Sequence, residues 1–141
     1  MKEDLQTQLT RDLVVESFEN LDQFDRDLLA IEQNEATPDT LNSMFRTIHT
    51  LKGTSGCLGL GRIEKLAHAG ENLLSSLRDG RVTANAAMVT TLLAYADALR
   101  AMLGALQDTG REGEFDHASL VADLQRLHEA TSTTEAAESA V

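Results

Sequence analysis

The sequence predicts an all-α fold, an up-down-up-down four-helix bundle with an additional C-terminal helix. Three observations carry that prediction. Aliphatic residues recur at three- and four-residue steps over most of the 141-residue chain, which is the period of one helix face. Proline occurs once, so long helices can run unbroken. Aromatic residues make up 4% of the chain and Trp is absent, against 42% hydrophobic residues in all, a composition suited to an aliphatic helical core rather than a sandwich or barrel. One domain is expected at this length, with a core burying about two-thirds of the unfolded chain's surface.

The first helix reads from about Thr10 to Asn34, where Val14, Phe18, Leu21, Leu28 and Ile31 share a face that Asp25 interrupts. The second opens at Thr37-Pro38-Asp39: a capping hydroxyl, a proline preset for the first helical position and an acid in the first turn. Its stripe is Leu41, Met44, Phe45, Ile48 and Leu51, and it fades in a glycine-rich run ending at Gly61. Ile63, Leu66, Ala67, Gly70, Leu73, Leu74 and Leu77 write a third helix, closed at Arg78-Asp79-Gly80, where glycine suits the left-handed C′ position. The fourth runs from about Thr83 to Gln107 on Val89, Leu92, Leu93, Ala96, Leu99, Leu103 and Leu106, and 109–114 is a loop. A short fifth helix follows, because Phe115 and Leu120 flank Asp116 at hydrophobic-staple spacing and Leu124 and Leu127 continue the face. Residues 1–130 therefore read as one unit, and 131–141, "TSTTEAAESAV", as a disordered tail or linker with no apolar period.

Twelve Lys and Arg stand against 23 Asp and Glu, a formal net charge of -11. Such acidity argues against binding nucleic-acid backbones or anionic membranes. No uninterrupted apolar run approaches the ~18 residues of a membrane helix, and the charged start Met1-Lys2-Glu3-Asp4 does not read as a secretory signal. The single cysteine, Cys57, has no internal disulfide partner. A cytoplasmic, reduced protein is expected.

The chemistry concentrates in Phe45–Gly56, "FRTIHTLKGTSG". Each glycine in a helix interior costs roughly 1 kcal/mol relative to alanine, so Gly53 and Gly56 need a reason other than stability. A phosphate-binding loop is excluded, since the register from Gly56 puts Gly61-Arg62-Ile63 where Gly-Lys-Ser/Thr is required. The dinucleotide fingerprint fails as well: Glu64 stands at the third glycine after Gly59-Leu60-Gly61, and no strand precedes it. His49 follows Ile48 by one residue and so stands about 100° around the helix from the apolar stripe, at the border of core and water. Lys52 and Gly53 share its face, with Gly56 a turn further on. An exposed imidazole beside a cation, next to turns stripped of side chains, suits a ring nitrogen that must meet a phosphoryl group carried by a bulky partner. A solvated histidine with incidental glycines is the plain alternative.

The third helix carries Glu64, Lys65, His68 and Glu71, of which Glu64, His68 and Glu71 share a face at i, i+4, i+7. Packed antiparallel to the second helix, a carboxylate such as Glu71 would accept a hydrogen bond from one nitrogen of His49 and raise the nucleophilicity of the other. Ordinary helix ion pairs explain the same spacing, and spacing alone does not choose. A metal site of His49, His68 and a glutamate is disfavoured, because His68-Ala69-Gly70-Glu71 reverses the Glu-x-x-His order and Lys52 repels a cation. His117 and His128 read as surface residues and Cys57 as a small packing residue.

Phe45–Gly80 resembles the histidine phosphotransfer (Hpt) domain at the N-terminus of the CheA family of chemotaxis histidine kinases. The H-x-x-K-G motif matches at His49, Lys52 and Gly53, and H-x-x-E-N-L-L at His68, Glu71, Asn72, Leu73 and Leu74, with the family's separation between them. Over Leu13–Leu41 and Thr83–Leu106 the likeness rests on helix pattern. The resemblance implies a four-helix bundle with a fifth helix, and a histidine phosphocarrier of two-component signalling. His49 would be phosphorylated on Nε2 by an ATP-bound kinase domain of CheA type, in cis within a longer kinase or in trans. The phosphoryl group would pass to an aspartate of a response regulator of CheY or CheB type. Glu71 would accept from the Nδ1–H of His49, Lys52 would stabilise phosphoryl oxygens and His68 would support the network. Phe45, Arg46, Thr50, Gly53, Gly56 and Leu58 would meet partners, the glycines keeping the surface low. ATP and Mg2+ would belong to the kinase domain and Mg2+ also to the regulator, with no cofactor on this domain, which is expected to be a monomer in isolation. Thr54-Ser55 departs mildly from the small residues usual there. Two rival readings are a docking module that binds a regulator without phosphotransfer and a stand-alone Hpt domain of another phosphorelay; the intact His49, Lys52 and Glu71 set favours the carrier over the docking module.

Overall fold

The computed structural model describes the backbone of residues 2–140 and the side chains of residues 5–129. Its helices are α1 (Lys2–Glu32), α2 (Pro38–Cys57), α3 (Gly61–Arg78), α4 (Ala86–Thr109) and α5 (Ala118–Ala140), and no strand occurs among the described residues. Short connections leave consecutive helices antiparallel. α1 packs on α2 and α4, and α3 on α2 and α4, which closes the four-helix ring; α5 lies outside it against α3 and α4.

Local chemistry sets the boundaries. Thr37 Oγ1 accepts the Thr40 amide at 3.3 Å while Thr40 Oγ1 accepts the Thr37 amide at 3.1 Å, a reciprocal cap that starts α2. α2 stops where Gly59 turns left-handed (φ 74), with the Leu60 N–H donating to Ser55 C=O at 2.8 Å and the Gly59 N–H to Gly56 C=O at 3.2 Å. The glycine run thus divides: Gly53 and Gly56 lie inside α2, Gly59 ends it and Gly61 opens α3. α4 begins at the Asn85 cap, whose Oδ1 accepts the Met88 amide at 2.9 Å, slightly later than the expected Thr83.

The core runs through Leu21, Phe24 and Leu28 of α1, Met44 and Ile48 of α2, Ile63 and Leu73 of α3, and Leu92, Tyr95 and Leu99 of α4. Phe24 fills the gap that Asp25 seemed to leave in the α1 stripe, and Asp25 instead accepts from Arg100 Nη2 of α4 at 2.7 Å. Tyr95 is fully buried and its hydroxyl donates to the Ala67 carbonyl at 2.7 Å. Gly70 makes room for that ring, since a methyl there would come within 2.5 Å of it. Burial pushes the Tyr95 phenol well above its ordinary range, so it stays un-ionised. α4 is long and apolar enough to cross a membrane by length and composition, but one of its faces closes this core.

Several sequence expectations need correction. α1 starts at Lys2 rather than near Thr10; Leu5 and Leu9 of the added turns remain exposed, so they leave no mark on the core pattern. α5 is longer than the short fifth helix expected, its backbone reaching Ala140; the side chains of 131–141, expected to be a tail or linker, lie outside the described residues. Asp116 stands one residue before the position that caps α5, although its Oδ1 does accept the Ala118 amide at 3.0 Å. Cys57 is exposed rather than packed. His128 is half-buried, its Nε2 2.9 Å from Ser76 Oγ, because α5 turns that face onto α3; His117 is half-buried and stacks on Phe115.

Candidate functional site

Antiparallel packing of α2 on α3 sets the middle of one helix against the middle of the other. Glu71, with its side chain 15% exposed, lies beneath His49 and Lys52. Its Oε2 is 3.2 Å from His49 Nδ1, and Lys52 Nζ is 2.9 Å from Oε1 and 2.8 Å from Oε2. Burial pushes the Glu71 carboxyl up, but the hydrogen bonds and charges of Lys52 and His49 outweigh it and hold the group below its ordinary range. An ionised carboxylate only accepts, so the short contact requires the proton on Nδ1, and this assignment leaves the lone pair on Nε2. The His49 side chain is 58% exposed. Such an arrangement can serve as a solvent-facing nitrogen nucleophile, with a carboxylate behind the ring able to balance positive charge on it.

Phe45, one turn before His49, stacks on the imidazole with ring centroids 5.4 Å apart and planes at 16°. The Arg78 guanidinium sits over the Phe45 ring, 4.0 Å from its centroid. The sequence places Phe45 among partner-contact residues and Arg78 at a helix stop. The available signal is the i, i+4 spacing of Phe45 and His49, which puts the two rings on one face of α2; the approach of Arg78 depends on how α3 packs and has no signal in the sequence.

On the other side of Lys52, Gly53 and Gly56 open a shallow recess also lined by Glu64, Lys65 and His68. His68 is exposed and makes no hydrogen bond or ion pair among the described residues; it shares the recess with Lys52 without joining the His49–Glu71–Lys52 set. Nothing lies within 4 Å of a methyl placed on Gly53, whereas one on Gly56 would meet the Glu64 carboxylate. Arg46 is exposed a turn before His49. Thr50 is exposed on the side of α2 that faces α1, lining a crevice with Leu13 and Ser17. Leu58 is half-buried against the core at the α2 C-cap, about 13 Å along the helix axis from His49. No group of three or more His, Cys, Asp or Glu side chains with metal-site geometry occurs among the described residues.

The model of the Hpt domain family matches residues 8–109, which spans the whole site. This chain belongs to the Hpt domain family. The Hpt domain is 34% identical over 110 residues to the sensor histidine kinase CheAY of Helicobacter pylori and 32% identical over 126 residues to the chemotaxis protein CheA of Treponema pallidum. Those matches cover 78% and 89% of this chain but 14% and 15% of the relatives, so the chain spans about one-seventh of their length. Among solved structures, it superposes on the phosphorylated P1 domain of CheA3 from R. sphaeroides in complex with CheY6, with a TM-score of 0.79, 28% identity, and coverage of 89% of this chain and 98% of that one. The solution structure of the histidine phosphotransfer domain of CheA matches with a TM-score of 0.74 and 25% identity, covering 90% and 92%. The bundle with its fifth helix, expected from the sequence, agrees with these structures.

The charge of this Hpt domain is unevenly spread. From Arg46 to Arg81, six Lys and Arg stand against three Asp and Glu, while the remainder of the chain has six against twenty. The stretch that carries His49 and α3 is thus net basic on an acidic chain.

Proposed function

We propose that this Hpt domain is a histidine phosphocarrier of a two-component chemotaxis pathway, loaded on Nε2 of His49 by the ATP-bound catalytic domain of a CheA-type kinase and unloaded onto an aspartate of a CheY- or CheB-type response regulator. The Nδ1 contact with Glu71 carries the reading, because it makes Nε2 the free nucleophile. In loading, the Nε2 lone pair attacks the γ-phosphorus of ATP, the bond to the β–γ bridging oxygen breaks and ADP departs. The ring keeps its Nδ1–H and gains positive charge, which Glu71 balances. In unloading, a carboxylate oxygen of the regulator attacks phosphorus, the P–N bond breaks and neutral imidazole leaves. Neither step moves a proton, so the site has no need of a general base. Lys52 keeps Glu71 ionised, and its remaining N–H donor is available to a phosphoryl oxygen.

ATP and Mg2+ are the kinase domain's, and Mg2+ is also the regulator's; His49, Glu71 and Lys52 act without a bound cofactor. His68 and Lys65 border the path by which partners reach the ring, with Arg46, Thr50, Gly53, Gly56 and Leu58 around it. Residues 1–130 form the phosphotransfer unit, a cytoplasmic monomer by itself, and 131–141 a tail or linker; the kinase domain acts in cis within a longer chain or in trans.

The test is incubation with a CheA-type kinase core and labelled ATP, beside His49→Gln, followed by a regulator. Acid-labile, alkali-stable label on the wild type alone, chased onto the regulator, is expected. Binding of a regulator with no label on His49 would replace the carrier with a docking module.

A further inference from the structure

One hydrogen bond does not fix an exposed imidazole. The Nδ1 contact with Glu71 sets one atom of His49 and one direction, and leaves the ring free to tilt about that line. With 58% of the side chain exposed, little packing opposes the tilt. In-line attack on phosphorus demands that the Nε2 lone pair hold its direction, and small misplacements of a reacting group are costly in rate. The face of Phe45 supplies what the hydrogen bond lacks, because a ring stacked at 16° with centroids 5.4 Å apart blocks tilting toward Phe45 and favours the parallel arrangement.

Phe45 is itself held. Arg78 closes α3, so it reaches Phe45 from the N-terminal end of α2, while His49 lies a turn beyond on the C-terminal side. Its guanidinium rests 4.0 Å from the Phe45 centroid, and its Nε donates to Asp79 Oδ1 at 3.1 Å, a second contact that favours the same rotamer. The Phe45 ring that stacks on His49 is also a favourable neighbour for the positive charge that the imidazole acquires on phosphorylation.

We propose that Phe45 and Arg78 are positioning residues for phosphoryl transfer: Arg78 pins the Phe45 ring, and that ring fixes the plane of the His49 imidazole so that Nε2 points at the incoming phosphorus. This rests on the phosphocarrier reading and deepens it. It also gives Phe45 a role through His49 in place of the partner contact expected from sequence.

Phe45→Leu keeps apolar volume but removes the face, Phe45→Tyr restores a face, and Arg78→Gln removes the cation while keeping donors. NMR of the side-chain protons of His49 reads the stack without any kinase: ring-current displacement should vanish in Phe45→Leu, persist in Phe45→Tyr and weaken in Arg78→Gln. In labelling by a kinase core, Phe45→Leu should lose about tenfold in kcat with KM for the domain unchanged, Phe45→Tyr should restore the rate and Arg78→Gln should fall about threefold. An unchanged His49 spectrum in Phe45→Leu would show that no stack exists in solution. A displaced spectrum with normal kcat, or a rise in KM alone, would overturn the positioning role, the latter in favour of partner contact. If the wild type takes no label while its ring protons still report the stack, the phosphocarrier reading has failed and the role falls with it. Circular dichroism melts identify any variant that fails to fold, and for such a variant the Arg78→Gln pair of measurements decides.

Discussion

Replacing Glu71 with Gln should affect the two half-reactions in opposite directions. His49 gains positive charge when Nε2 takes the phosphoryl group and loses it when the group leaves, and the Glu71 carboxylate, 3.2 Å from Nδ1, is the anion placed to sense the difference. Hydrogen bonds to charged groups are worth roughly 1.5–3 kcal/mol. The exposure of His49 and the competing hold of Lys52 on both carboxylate oxygens favour the lower part of that range, about 2 kcal/mol. Gln keeps an acceptor for Nδ1–H and discards the charge, so geometry survives. About 2 kcal/mol corresponds to roughly 30-fold in the equilibrium between His49 and its phosphorylated form, which divides into loading about sixfold slower and unloading about fivefold faster. Single-turnover rapid quench with a kinase core, and separately with a regulator, measures each step, with melts as a folding control. Equal slowing of both steps would refute the charge-balance reasoning and leave Glu71 a structural role only.

Gly53→Ala should stabilise the fold by up to about 1 kcal/mol, since a methyl there meets nothing within 4 Å, yet reduce the rate of transfer by raising the surface partners approach; a melt and a transfer assay on one variant check both. Gly70→Ala should destabilise by roughly 1–3 kcal/mol, because its methyl drives into the buried Tyr95 ring, and chemical denaturation measures the loss. The Glu71 carboxyl is held below the ordinary glutamate range by Lys52 and His49, so the stability it contributes is present above that ordinary range and is lost as pH falls through the lower folded value. Denaturant melts across the acid range should show a smaller decline in Glu71→Gln than in the wild type.

The helices were legible because their apolar faces are regular: Leu66, Leu73 and Leu77 of α3, and Leu92, Leu99 and Leu106 of α4, are all buried as the period requires. Phe24 stands outside the stripe legible in the sequence because its neighbour Asp25, whose partner Arg100 is 75 residues away, interrupts the apolar spacing. The half-buried state of His128 was likewise invisible, since Ser76 belongs to another helix and only docking of α5 brings the two together. The glycine run showed that something unusual was present but not which residue did what; Gly59 is distinguished by its backbone angle, Gly53 by empty space and Gly56 by Glu64. Choosing Glu71 over Glu64 as the partner of His49 required the register of α2 on α3, which the linked motifs supplied and spacing within one helix does not contain.

The atom of His49 that carries phosphorus decides between a Glu71-directed carrier and any other chemistry. The direct measurement is nuclear magnetic resonance of the domain with 15N-labelled histidine, after phosphorylation by a CheA-type kinase core and MgATP. Coupling of 31P to the Nε2 of His49, with Nδ1 still protonated, is the result predicted by the Glu71 contact. Phosphorus on Nδ1, or on any residue other than His49, would contradict it.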